Sequence, residues 1–116
     1  MNSSDERRKG SPVRVQRPLD ATYSADSPPM QARIEDISER GCFIDAQHPP
    51  PTGTQIRIRF SLPSDPSGEP VECDALVAWM QPNVGMGVQF LDLPQETSDR
   101  IRFFIASVYF GHDNGP

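Results

Sequence analysis

The fold is decided by two stretches of alternating apolar and polar residues, QIRIRFSL at residues 55–62 and VECDALVAWM at residues 71–80. A period of two residues is typical of a strand with one buried face. The turn-rich stretch PSDPSG at residues 63–68, which lies between them, predicts a hairpin loop. Because Trp79 falls on the inward-facing set of the second strand, we predict that it is a core residue.

Four shorter runs of the same kind lie on either side of this hairpin. Their predicted bounds are Leu19–Tyr23, Gln31–Ile37, Cys42–Ala46 and Gly85–Phe90. The 13 prolines and 8 glycines among 116 residues exclude a helical bundle, and short strands joined by turns are typical of a small barrel. The sequence therefore predicts one mainly β domain with six antiparallel strands.

After the last strand the apolar period changes to that of a helix. A stripe at i, i+3, i+4 and i+7 is formed by Ile101, Phe104, Ile105 and Val108. Such a stripe predicts one carboxy-terminal helix packed on the sheet. Asp92 is predicted to cap the helix, with Gln95 reaching back to it, and Gly111 is predicted to end it.

The charge of the chain is unevenly distributed. The formal net charge is −5, yet residues 1–17 hold five basic residues against two acidic ones, while residues 18–116 hold six arginines against fourteen acids. We predict a basic arm at residues 1–13, a folded body at 14–110 and a tail at 111–116. An acidic body argues against DNA or RNA polymers as partners.

The compartment is predicted from what the sequence lacks. No apolar run approaches the ~20 residues that span a bilayer, and the amino terminus has no hydrophobic stretch typical of a signal peptide. We therefore expect a cytoplasmic protein that does not insert into membranes. Cys42 and Cys73 lie in strand-like segments and are expected to be buried, reduced thiols.

The first candidate site is the stretch DISERG at residues 36–41. One interpretation is a plain turn between strands, in which Asp36 and Ser38 bond neighbouring amides and Gly41 takes a positive φ. The other is a binding site at the barrel rim, where a carboxylate accepts the N1 and N2 hydrogens of guanine and Gly41 lets a flat ligand approach the backbone.

The second candidate site is the basic arm, which includes Arg7, Arg8 and Arg14. It is either a solvated run of charge or a set of arginine forks that grip phosphate or the O6 and N7 edge of guanine.

Other chemistries find little support in the sequence. His48 and His112 stand alone, without metal-ligand spacing to a cysteine. No nucleophile elbow or phosphate loop is present, and the Gly85-Met86-Gly87 stretch is expected to serve strand packing. We expect neither a metal site nor an enzyme.

An arginine-rich arm, a small barrel and the Asp36-x-Ser38-x-x-Gly41 element together resemble the PilZ domain family of bacterial cyclic di-GMP receptors. The block VAW…GMGVQFLDL at residues 77–93 is similar to stand-alone PilZ proteins of gliding bacteria. The resemblance implies a six-stranded antiparallel PilZ-type barrel with one carboxy-terminal helix. It also implies that Asp36, Ser38 and Gly41 form one half of the ligand site.

The other half of the family's site, Arg-x-x-x-Arg, is out of register here. Arg14 matches the second arginine, but Gly10 stands at the first position, and Arg8 lies two residues too early. The resemblance thus leaves two hypotheses. Either Arg7, Arg8 and Arg14 clamp cyclic di-GMP and binding is relayed to a partner protein, or the chain is an adaptor in motility or cell polarity that binds no nucleotide.

Overall fold

A computed structural model describes residues 13–111, which contain six strands and one helix. The elements are β1 (Leu19–Ser24), β2 (Met30–Ile37), β3 (Gly41–Asp45), β4 (Gln55–Phe60), β5 (Val71–Gln81), β6 (Gly85–Leu91) and α1 (Gln95–Tyr109). The strands close a barrel in the order β1-β2-β3-β6-β5-β4, and every neighbouring pair is antiparallel. The predicted mainly β barrel with a carboxy-terminal helix is confirmed.

Over most of the β4–β5 hairpin, alternate side chains are buried as the sequence pattern predicts. Ile58 is fully buried and lies opposite Cys73, and the inward residues of β5 remain buried as far as Val77. These side chains fill the barrel, so the polar residues between them face outward.

A bulge in β5 overturns the prediction that Trp79 belongs to the core. Val77 lies opposite Val88 and Trp79 opposite Gly87, so Ala78 is an extra residue on β5. An extra residue reverses the side on which the following side chains stand. Trp79 consequently lies on the outside of the barrel, with half of its surface exposed.

A second bulge shapes the end of β2. The register shifts between Ile34 and Asp36, so Ile34 and Ile37 are both fully buried although they are three residues apart. Asp36 is left on the outer face, with 22% of its side chain exposed. The two bulges therefore bring a carboxylate and an indole onto the same outer surface.

The helix packs on the barrel through Ile101, Phe104 and Ile105, which are all buried as predicted, and Val108 packs against them. Its amino-terminal end differs from the prediction. Pro94 is the N-cap and no side chain caps the helix.

The predicted cap fails because Asp92 has a φ of 52°, which turns the chain before the helix starts. Gln95 donates to Asp99 at 2.9 Å and does not reach back. At the other end, Gly111 has a φ of 78° and its N–H donates to the Val108 carbonyl at 3.0 Å, so the predicted stop is confirmed.

An ion pair ties the β4–β5 loop to the helix. Nε and Nη2 of Arg100 donate to one carboxylate oxygen of Asp65 at 2.9 and 2.6 Å, and Nη2 also contacts the Glu69 carbonyl oxygen. The Asp65 side chain is only 7% exposed. Burial acts to raise the pKa of Asp65, but hydrogen bonds from Arg100 and Ser67 outweigh it and hold the pKa below its ordinary value.

Cys42 and Cys73 are both buried free thiols, as predicted. Within residues 13–111, no helix has the length and apolar character needed to cross a membrane.

Candidate functional site

The DISERG stretch forms a tight turn between β2 and β3. The Ser38 N–H donates to the Gly41 carbonyl at 2.8 Å. Its hydroxyl accepts the Arg40 N–H at 3.2 Å and donates to the Gly41 carbonyl at 3.4 Å. Ser38 is 2% exposed, so the hydroxyl acts first as an internal brace of the turn.

Gly41 is required for a different reason from the one predicted. It does not adopt a positive φ, so that expectation is wrong. Instead, β3 approaches β6 so closely that a Cβ at this position would collide with the Val88 carbonyl oxygen. The missing side chain makes room for the neighbouring strand.

Arg14 is held beside this turn by the backbone. Val15 and Ile37 exchange two hydrogen bonds of 3.0 Å, which attach the chain before β1 to the end of β2. The adjacent Arg14 forms an ion pair with Asp36 through Nη1, and 49% of the arginine side chain stays exposed. The structure thus brings together Arg14, Asp36 and Ser38, which the sequence placed in two separate candidate sites.

An aromatic pair stands on the same outer surface. The rings of Phe43 and Trp79 stack with centroids 5.5 Å apart and planes 25° from parallel. A Cβ on Gly87 would collide with the indole of Trp79, so the ring can pack here only because this residue has no side chain. Gly87 therefore serves packing, as predicted, although the group packed on it is a surface aromatic.

Strand register arranges these residues in one row across four strands. Asp36 lies opposite Phe43, Phe43 opposite Gly87, and Gly87 opposite Trp79. With neighbouring strands ~4.8 Å apart, the row runs about 14 Å from β2, which carries Asp36, to β5, which carries Trp79. A charged end and an aromatic end are thus separated by a fixed distance.

The row lies along an open cleft of about 650 Å³. The lining residues that carry chemistry are Arg14, Asp36, Ser38, Arg40, Gly41, Phe43, Trp79 and Gln89. Such a cleft offers a cation, a carboxylate and a flat apolar wall to one ligand, which suits a charged aromatic molecule such as a nucleotide.

Sequence reasoning missed the two aromatic residues of the cleft. The alternation of β5 assigned Trp79 to the interior, and only the bulge turns it outward. A usable signal was the Gly85-Met86-Gly87 stretch, since a glycine at mid-strand marks a place where another group approaches closely. Two further predicted residues, Arg7 and Arg8, lie outside the described residues.

A metal site receives no support from the described residues, among which no group of three or more His, Cys, Asp or Glu side chains is gathered.

Comparison with known proteins identifies the family. The family model described as PilZ domain matches residues 6–107 of the 116. This chain belongs to the PilZ domain family. No curated protein sequence matches it significantly.

Two solved structures resemble this PilZ domain. The structure of the Bacillus subtilis inhibitor of motility (MotI/DgrA) is 15% identical with a TM-score of 0.76, and the match covers 87% of this chain and 51% of that one. This PilZ domain therefore spans about half the length of that neighbour. The PilZ domain of CeSA from a cellulose-synthesizing bacterium is 19% identical with a TM-score of 0.56, covering 85% of this chain and 96% of that one. At these identities the likeness shows the shared fold.

Proposed function

We propose that this PilZ domain is a receptor for cyclic di-GMP that relays binding to a partner protein. One observation carries the proposal: Arg14, Asp36 and Ser38 line the same cleft as the stacked pair of Phe43 and Trp79. Membership of a family of cyclic di-GMP-binding domains supports this ligand.

The cleft offers a group for each part of the ligand. The guanidinium of Arg14 suits a phosphate or the O6 and N7 edge of guanine, and its ion pair with Asp36 engages Nη1. The Asp36 carboxylate suits the N1 and N2 hydrogens of a guanine. The exposed indole of Trp79 suits stacking on the face of a base.

Arg7 and Arg8 complete the proposed clamp from the arm. They lie outside the described residues, so their part in the proposal rests on the basic character of residues 1–17 and on the family's arginine pair. A substitution at Arg8 tests that part separately from the cleft.

A second candidate function is a nucleotide-free adaptor. It is favoured by Gly10, which stands where the family's first arginine is expected. The neighbour that is an inhibitor of motility makes motility a process in which to test such an adaptor.

Titration calorimetry with cyclic di-GMP separates the two functions. We expect the unmodified protein to bind, and Arg14→Ala and Asp36→Ala each to weaken binding by about tenfold or more, since each removes a charge-assisted contact. Arg57→Ala is the matched control, because Arg57 forms a similarly exposed pair with Asp74 at 3.1 Å on the β4–β5 face.

Three outcomes of this titration are decisive. No heat from the unmodified protein at hundreds of micromolar contradicts the receptor and leaves the adaptor. Equal losses in Arg57→Ala and Arg14→Ala contradict the assignment of the cleft. Undiminished binding by Arg8→Ala removes that arginine from the clamp.

A further inference from the structure

The two ends of the cleft offer different hydrogen-bonding groups to a purine base. At the charged end the Asp36 carboxylate is an acceptor only. The two arginines that line the cleft belong to the same end, since Arg14 precedes β1 and Arg40 lies in the β2–β3 turn. On the side of Trp79, the polar group of the lining is the neutral carboxamide of Gln89, which both donates and accepts.

Gln89 stands next to the indole of Trp79 along β6. A Cβ on Gly87 would collide with Nε1 of Trp79, so the nitrogen edge of the indole lies over β6 at this residue. Gln89 is two positions further along the same strand. Residues two apart in a strand point to the same face, with Cα atoms about 6.6 Å apart. The Gln89 side chain can therefore reach the edge of a base that stacks on the indole.

The Gln89 carboxamide is available to a ligand. The residue is exposed, and across the part of the chain that the structure describes its side chain has no hydrogen-bond partner. Its cross-strand neighbours do not bond it either, since Gly41 on β3 has no side chain and Leu76 on β5 is apolar. A ligand can engage the carboxamide without displacing an existing hydrogen bond.

The carboxylate of Asp36 selects guanine at the charged end. Guanine offers N1–H and N2–H as two donors to a carboxylate. Adenine turns the lone pair of N1 to the same place and has no 2-amino group. An adenine at this end would set two acceptors against each other and leave the carboxylate unpaired, which a binding site rejects.

The carboxamide of Gln89 fits either purine. Glutamine bonds adenine through N6–H and N7. With its amide turned over, the same side chain donates to O6 of guanine and accepts N1–H. Stacking on Trp79 does not distinguish the two bases, because every base has a π-face. The aromatic end of the cleft thus holds a purine without requiring guanine.

We propose that Gln89 binds the second base of the ligand and that the cleft requires guanine only at Asp36, so that a mixed guanine–adenine cyclic dinucleotide is a ligand in addition to cyclic di-GMP. The inference rests on the proposed function, because it assigns the two bases of a ligand in the same cleft. It excludes cyclic di-AMP, which has no guanine to offer to Asp36.

Calorimetric titrations with three cyclic dinucleotides test the assignment. We expect 3′–5′-linked cyclic GMP–AMP to bind within about tenfold of cyclic di-GMP, and cyclic di-AMP to bind at least about a hundredfold more weakly. A mixed dinucleotide that lies outside this range overturns the proposal. Cyclic di-AMP that binds as tightly as the mixed dinucleotide also overturns it, since Asp36 would then not select guanine.

A substitution at Gln89 should turn tolerance into selection. In Gln89→Glu the second end is also an acceptor only, so the mixed dinucleotide should lose at least about tenfold in affinity relative to cyclic di-GMP. The added charge repels the phosphates of both ligands alike, so the readout is the ratio of the two affinities. Gln31→Glu is the matched control, because it adds the same charge at an exposed position of β2 that does not line the cleft. An unchanged ratio in Gln89→Glu overturns the role of Gln89.

A second variant covers the case in which Gln89→Glu is unfolded by circular dichroism. Gln89→Leu keeps much of the side-chain volume and removes both hydrogen-bonding atoms. It should weaken cyclic di-GMP and the mixed dinucleotide by a similar factor, about fivefold to tenfold. Unchanged affinity for both ligands in folded Gln89→Leu overturns the role of Gln89.

The same titrations separate this inference from the receptor function. Binding of cyclic di-GMP without the mixed dinucleotide supports the receptor and contradicts the inference alone. Binding of neither ligand overturns both. Binding of the mixed dinucleotide without cyclic di-GMP contradicts the receptor for cyclic di-GMP and also the claim that Gln89 accepts either purine. If both ligands bind and the Gln89 variants change neither affinity, the receptor stands and the assignment of Gln89 fails.

Discussion

Arg14 and Asp36 form an ion pair beside the two backbone hydrogen bonds that join Val15 to Ile37. The backbone therefore fixes the arginine at the cleft, and the ion pair orients its guanidinium. Because half of the Arg14 side chain is exposed, the pair contributes little to folding, at most about 1 kcal/mol.

We predict that Arg14→Lys weakens cyclic di-GMP binding about tenfold while leaving the free energy of unfolding nearly unchanged. The lysine keeps the charge but loses the planar fork that binds phosphate or guanine through two bonds. Calorimetry and urea denaturation of the same samples check both parts. Arg57→Lys should bind like the unmodified protein, and a large loss of stability in Arg14→Lys would mean that the binding defect is indirect.

Trp79 provides a direct optical signal, since it is the only tryptophan of the chain. With half of its surface exposed, its emission should be that of a solvated indole, quenched by acrylamide and protected when nucleotide binds. Trp79→Ala should cost about 1–3 kcal/mol of binding, the usual contribution of stacking on one base. Trp79→Phe is the control that keeps an aromatic face, and emission unaffected by bound nucleotide would place the ligand elsewhere.

Gly41 and Gly87 are predicted to respond differently to alanine. At Gly41 the new methyl group meets the Val88 backbone, which cannot move without breaking the β3–β6 pairing, so we expect a loss of about 1–3 kcal/mol or more in stability. At Gly87 it meets the exposed Trp79 side chain, which can turn away. In thermal denaturation, Gly41→Ala should therefore unfold at a clearly lower temperature than Gly87→Ala. Acrylamide quenching of Trp79 should change only in Gly87→Ala. The opposite ranking would contradict this account of Gly41.

The barrel could be predicted from sequence because β4 and most of β5 alternate with a period of two, and the helix carries a clear apolar stripe. Local features were predicted less well from the sequence. The exposure of Trp79 depends on a one-residue bulge, and a bulge is decided by pairing with β6 rather than by the residues of β5 alone. Asp92 is of a residue type that often caps helices, but its φ of 52° places it in a bend before the helix, and Pro94 is the N-cap.

The site was predictable in parts and not as a whole. Asp36 and Ser38 could be found from their spacing, but their proximity to Arg14 depends on the bridge between Val15 and Ile37, which joins residues 22 positions apart. The Phe43–Trp79 stack depends on the register of three strands. Such long-range pairings leave no periodic trace in the sequence.

The two cysteines are predicted to be unreactive in the folded protein. Burial raises the pKa of Cys73 to about 11 and raises that of Cys42 further above its ordinary value, so neither forms much thiolate at neutral pH. Dithionitrobenzoate should modify both only as fast as the chain unfolds, and at the full rate in guanidinium. Rapid modification of one thiol in the native protein would contradict its burial.

The ion pair of Asp65 and Arg100 predicts a loss of stability in acid. Its carboxylate has a pKa held below the ordinary 3.8 in the folded state, so the unfolded chain binds the proton more readily. The stabilisation is therefore complete well above pH 3.8 and is lost as the pH falls through the lower, folded pKa. Asp65→Asn leaves a largely buried arginine without its anion and should cost about 1–3 kcal/mol at neutral pH.

Urea denaturation at pH 7 and pH 3 tests this assignment. The difference in unfolding free energy between the unmodified protein and Asp65→Asn should be large at pH 7 and smaller at pH 3. At pH 3 the unmodified protein begins to resemble the variant, because protonation neutralises the Asp65 carboxylate. Asp74→Asn is the matched control, since its partner Arg57 is 51% exposed and the pair should contribute less than about 1 kcal/mol. If the two variants lose equal stability at pH 7, the loop at residues 63–70 is not held to the helix by this pair.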